Sequence, residues 1–192
     1  MTLHVELSDA ADATALVVDH VTPAEMSAPT PCDEWDVRAL LNHIILWTSY
    51  SLERRAHGES VAPELMERDF AAEPDFADAY RVQLDRAVGA WADPAVWDRQ
   101  LDVMGAETPA ADVGALIIAE MILHGWDLAA ATGQDYSVSD RAAEAALRAV
   151  EANAELFRQY KGFADPVTVA ADARLLDRLL ALSGRDPAWA VR

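Results

Sequence analysis

One segment constrains the fold more than any other. Between Thr108-Pro109 and Thr132-Gly133, the residues Val113, Ile117, Glu120, His124, Asp127 and Ala131 recur at three-four spacing and so lie along one stripe of a single helix. Thr108 is the expected N-cap and Pro109 the first helical residue, where its missing N–H costs nothing; Gly133 supplies the left-handed residue past the end. The apolar members of the stripe should face a core. Glu120 and His124 are then placed where an ionised carboxylate costs several kcal/mol unless it is paired or metal-bound.

The remaining chain also reads as helical, with little period-2 alternation. A first helix is expected from about Ala10 to Val21, capped by Ser8 or Asp9 and ended by Thr22-Pro23. After a loop from Met26 to Glu34, Asp36 should cap a second helix, with Trp35 stapled onto Leu40. That helix runs through His43 and Trp47 to a stop at His57-Gly58. A third spans about Asp75 to Trp91. The segment from Asp93 to Glu107 is irregular, with a short extended piece near Gln100 to Val103. Ser139 caps a fifth helix reaching Lys161-Gly162, and a short one from about Ala173 to Leu182 leads into Ser183-Gly184. Nothing divides the chain, so residues 1–192 are expected to form one all-α domain, a four-helix-bundle core with additional short helices.

Composition narrows the partners. With 15 Lys+Arg against 33 Asp+Glu the formal charge is −18, which repels nucleic acid and anionic membrane surfaces. A 52% hydrophobic content excludes a disordered acidic tail. The most apolar run, Ala115 to Leu123, is interrupted by Glu120 and falls short of the ~20 residues of a membrane span. The N-terminus has no basic segment followed by a long apolar one. The single cysteine, Cys32, allows no internal disulfide. A cytoplasmic protein is the expectation.

His43 shares a face with Ala39, Leu40 and Trp47, so it should point inward from the second helix. Glu120 and His124 sit on adjacent turns, close enough to share one cation. Spacing alone leaves a buried Glu–His hydrogen bond equally open. Two helices aiming imidazole and carboxylate into one core are also how bundles build metal sites. Two His and one carboxylate suit zinc first, with nickel or iron as alternatives, and leave positions open for water or substrate. Asp127 is placed to hold a ring nitrogen of His124 or to serve as a surface or capping residue. A thiolate at Cys32 is favoured by the helix N-terminus and opposed by Asp33, Glu34 and Asp36. Trp35, Trp47 and Trp126 read as packing. There is no Ser/His/Asp arrangement, Gly-rich phosphate loop or Cys-pair zinc motif.

Thr30-Pro-Cys-Asp-Glu-Trp-Asp-Val-Arg-Ala-Leu-Leu-Asn-His43 resembles the entry to the metal-binding helix of the mycothiol-dependent maleylpyruvate isomerase N-terminal domain family. Glu120-Met-Ile-Leu-His124-Gly-Trp-Asp-Leu-Ala, followed by Thr132-Gly133, resembles the family's second ligand helix. The tail from Asp177 to Trp189 is similar to the ending of an actinobacterial subfamily described only as metal-binding. The family belongs to the DinB/YfiT-like metalloenzymes. The resemblance therefore implies a DinB-like bundle that often dimerises, with a divalent metal on His43, Glu120 and His124 and mycothiol as a possible cofactor. Characterised isomerases carry a C-terminal domain for which 192 residues leave no room, so metal binding is implied more directly than maleylpyruvate isomerisation. The function so implied is a metal-dependent enzyme using a small thiol in transfer or isomerisation. The alternatives are a non-catalytic metal- or ligand-binding protein and a structural bundle without metal.

Overall fold

A computed structural model describes residues 2–33, 35–103 and 105–190. Its helices are α1 (His4–Asp19), α2 (Val37–Ile45), α3 (Ser51–His57), α4 (Pro63–Met66), α5 (Phe76–Ala90) and α6 (Pro94–Trp97). A two-stranded hairpin, β1 (Gln100–Val103) and β2 (Ala106–Pro109), follows, then α7 (Ala110–Thr132), α8 (Asp140–Gln159) and α9 (Leu175–Leu182). Helices α1, α2 with its continuation α3, α5 and α7 form the four-helix bundle. Helix α8 covers α7 and α1 from outside, and α9 lies on α8.

The punctuation residues work as expected at several ends. The Asp36 side chain accepts the Ala39 N–H, and Ser139 accepts that of Ala142, each satisfying a donor the helix start leaves free. Gly58 and Gly133 adopt left-handed backbone past α3 and α7. Three boundaries differ. Helix α1 begins at His4, six residues before the expected Ala10, and Leu3 precedes it without a side-chain cap. Helix α7 opens one residue later than expected, with Pro109 rather than Thr108 at its N-cap, and Thr108 and Pro109 pair in β2 with Leu101 and Gln100, so the extended piece near Gln100 has a partner. The long second helix is interrupted at Leu46–Tyr50 by a wider, π-type turn. There the hydroxyls of Thr48 and Ser49 donate to the carbonyls of Ile44 and Ile45, at 2.7 and 2.6 Å.

The core is the interior of the bundle, where Leu7, Leu40, Ile44, Leu52, Tyr80, Trp91, Ile118 and Met121 are fully buried. Helix α7 is long and apolar enough to cross a membrane, more so than its Ala115–Leu123 run suggested. However, 78% of its most apolar stretch is buried inside the protein, the condition of a core helix. Gly125 explains how closely α1 approaches it. A Cβ there would lie 2.9 Å from Thr14 Oγ1 and from the Tyr136 ring. The close contact lets Thr14 donate to the Met121 carbonyl at 3.0 Å, and it sets the α7 backbone firmly next to His124.

Candidate metal centre

Helices α2 and α7 deliver the central residues. His43 lies almost two turns past the Asp36 cap, and Glu120 and His124 follow each other by one turn of α7. His43 Nε2 is 3.2 Å from Glu120 Oε1, and His124 Nε2 is 3.4 Å from Glu120 Oε2. The two imidazole rings stand edge to face at 4.7 Å. Donor atoms of His43, Glu120 and His124 all lie within 4.8 Å of one another. The exposures are graded: the His124 side chain is 10% accessible, His43 20% and Glu120 35%. One side of the cluster thus opens to solvent while the other is sealed.

The loop before α2 forms the rim. Thr30 Oγ1 accepts the Cys32 N–H and donates to the Trp35 carbonyl at 2.8 Å, which folds the loop back on itself. Trp35 is thereby placed 4.5 Å from the His43 ring and 5.5 Å from that of His124. Trp47 stands 6.3 Å from His43. These two tryptophans pack as expected and also wall the cluster; half-buried Trp126 packs on the core.

His124 has a second side. Its Nδ1 is 3.0 Å from Asp127 Oδ2, and Cys32 Sγ donates to that same oxygen at 3.1 Å. The arrangement gives Asp127 the inward role, since its side chain is fully buried. Arg185, just past α9, completes the cluster: its Nε is 2.8 Å from Asp127 Oδ1, and its Nη2 is 2.7 Å from Oδ2 and 3.6 Å from Cys32 Sγ. Of the acids expected to crowd Cys32, Asp36 is spent on its cap, Asp33 is exposed and Glu34 lies outside the described residues.

Electrostatics follow from this packing. Burial would push the Glu120 carboxyl up, but His124 and His43 hold it well below the ordinary carboxylate range. Burial would lower His124, yet Glu120, Asp127 and Cys32 around it hold its imidazolium well above the usual value. Asp127 is held far down, against its burial, by Arg185 and then His124. Arg185 is raised by Asp127 despite its burial.

Two donor groups therefore share His124: His43–Glu120–His124 on the Nε2 side and Cys32–His124–Asp127 on the Nδ1 side. Their chemistry separates them. The second already holds a guanidinium against both carboxylate oxygens, and a metal cation there would meet that charge. The first consists of two imidazoles and a carboxylate with, among the described residues, no arginine or lysine bonded to them, a donor set that fits zinc and its neighbours. Sequence spacing identified all three members of the first group. It missed Arg185, although a buried carboxylate at Asp127 signals that a cation must reach it.

Comparisons agree with this architecture. The family described as mycothiol maleylpyruvate isomerase N-terminal domain matches residues 7–129. Two uncharacterized proteins from strains of Mycobacterium tuberculosis, MT0763 and Rv0738, are each 28% identical over 187 residues, covering 92% of this chain and 93% of the relative. Among solved structures, a mycothiol-dependent maleylpyruvate isomerase superposes with a TM-score of 0.66 at 17% identity, covering 98% of this chain and 91% of that one. A histidine-to-alanine mutant of such an isomerase gives 0.59 at 20% identity, over 80% of this chain and 69% of the other. These structural matches establish a shared fold. With its helical bundle and well over half its length matched, this chain belongs to the mycothiol maleylpyruvate isomerase N-terminal domain family.

Proposed function

We propose that this protein is a metal-dependent enzyme that uses a small thiol, mycothiol by its family, in group transfer or isomerisation. His43, Glu120 and His124 would hold one divalent cation, zinc by preference. The observation that carries this reading is the convergence of two imidazoles and one carboxylate from two helices, sealed on one side and open on the other. When bound, such a cation lowers the pKa of a coordinated thiol or water and keeps it deprotonated at neutral pH. The chain's own residues supply the setting. Glu120 brings the charge, the histidines fix its position, and Trp35 and Trp47 narrow the opening. Cys32 is turned toward Asp127, so the reacting thiol comes from solution. The same reading includes a small-molecule substrate and a homodimer as the assembled form.

Protein purified without a polyhistidine tag and offered zinc should bind one equivalent. His43→Ala, Glu120→Ala and His124→Ala should each lower that content severely, because three ligands leave no redundancy. Cobalt-substituted protein should develop a sulfur-to-cobalt charge-transfer band on adding millimolar mycothiol or a simpler thiol. Absence of zinc uptake overturns the metal reading. Zinc uptake without the thiol band overturns the thiol chemistry and leaves a protein that activates water or sequesters a ligand.

A further inference from the structure

Arg185 stands outside the matched residues 7–129, yet it reaches Asp127 in the last third of α7. Its delivery is local and specific. Gly184 takes a left-handed backbone, φ +87°, and a Cβ there would lie 2.7 Å from Ala164, so the turn admits only glycine without a shift. The Arg185 N–H then bonds the Leu180 carbonyl at 2.9 Å, and its Nη1 bonds Ser183 Oγ at 3.0 Å. The side chain is 9% exposed and points back through the protein.

We infer that Arg185 is a positioning residue: by gripping both oxygens of Asp127 it fixes which nitrogen of His124 is free to take a cation. This rests on the metal reading above. Four donors converge on the Asp127 carboxylate, Arg185 Nε on Oδ1 and Arg185 Nη2, Cys32 Sγ and His124 Nδ1 on Oδ2. An ionised carboxylate can only accept, so Nδ1 must carry hydrogen, and once the ring is neutral its lone pair lies on Nε2, beside Glu120. Without Arg185, nothing grips Oδ1, and the buried Asp127 carboxylate can turn away and release the ring. The same guanidinium bars the Cys32–His124–Asp127 group from taking metal. A single contact from the tail thus selects one of two overlapping donor sets.

The test is the zinc affinity of metal-stripped protein, by competition with a chromophoric chelator, together with the visible spectrum of the cobalt form. Arg185→Met should weaken zinc binding by about 10–100-fold and shift the cobalt bands. Arg185→Lys keeps the charge without the planar fork and should fall between that variant and the wild type. If Arg185→Met fails to fold, the Asp127→Asn/Arg185→Met double variant removes the buried charge with its partner and should show the same loss. Variants that bind zinc as tightly as the wild type, with unshifted cobalt bands, overturn this inference alone. A wild-type protein that takes up no zinc overturns the metal reading and this inference with it.

Discussion

Hydrogen-bond donors around a buried carboxylate are not equal, and Cys32 is the weakest of those at Asp127. A thiol donates poorly, whereas the guanidinium contacts are charge-assisted and paired. Cys32→Ala should therefore cost only about 1 kcal/mol, or roughly 2–4 °C in thermal unfolding. It should leave zinc affinity within about threefold, because Sγ lies on the Nδ1 side of His124. A loss beyond tenfold would show that Cys32, like Arg185, helps to hold Asp127 and His124 in place. At this scale the sequence was informative wherever the relation is local. Glu120, His124 and Asp127 share one helical stripe, and His43 shares a face with Leu40 and Trp47. Arg185 pairs across 58 positions, and no periodicity links residues so far apart.

Helices α3 and α5 are joined by one carboxylate. Glu53, 18% exposed, accepts from Gln83 Nε2 at 2.6 Å and from Arg86 Nη2 at 2.8 Å. Burial raises its pKa, but Gln83 and Arg86 outweigh that and hold it below the usual value. A depressed pKa gives stability that is present above the unfolded value, about 4.3, and lost as pH falls through the folded one. Glu53→Gln should cost about 1.5 kcal/mol at pH 7, and urea titrations should show the gap closing as pH drops below about 4. A gap unchanged in acid would remove the charge from the explanation. Elements announced by a cap or a glycine stop, such as the start of α2 and the end of α7, are legible because one side chain decides them. The start of α1 has no capping side chain. Strand β2, Ala106–Pro109, is exposed along most of its length and so carries no apolar alternation to read.

Across the whole molecule, charge sets the terms of self-association. Two copies at −18 each repel, while α1 and α5 leave Val5, Leu16 and Val82 exposed as apolar contact area. The proposed homodimer should therefore tighten as salt screens the repulsion. Light scattering at tens of micromolar should give twice the monomer mass, with the dissociation constant falling several-fold between about 20 and 300 mM salt. A monomeric mass at both salts ends the proposal. The all-α bundle itself was legible from periodicity and stop signals together. Its layering was not, because which helices touch depends on faces that meet only after folding, as with α8 on α7 and α9 on α8.

The widened turn at Leu46–Tyr50 also bears on how this gene can change. Losing one codon elsewhere in the stretch from Val37 to His57 turns every later residue by about 100° and swings Leu52 out of the interior. Within the widened turn, removing one residue restores ordinary helical pitch and leaves both flanks in phase. That short window is where this helix can tolerate a single-residue deletion, with His43 on one side and Glu53 on the other keeping their directions.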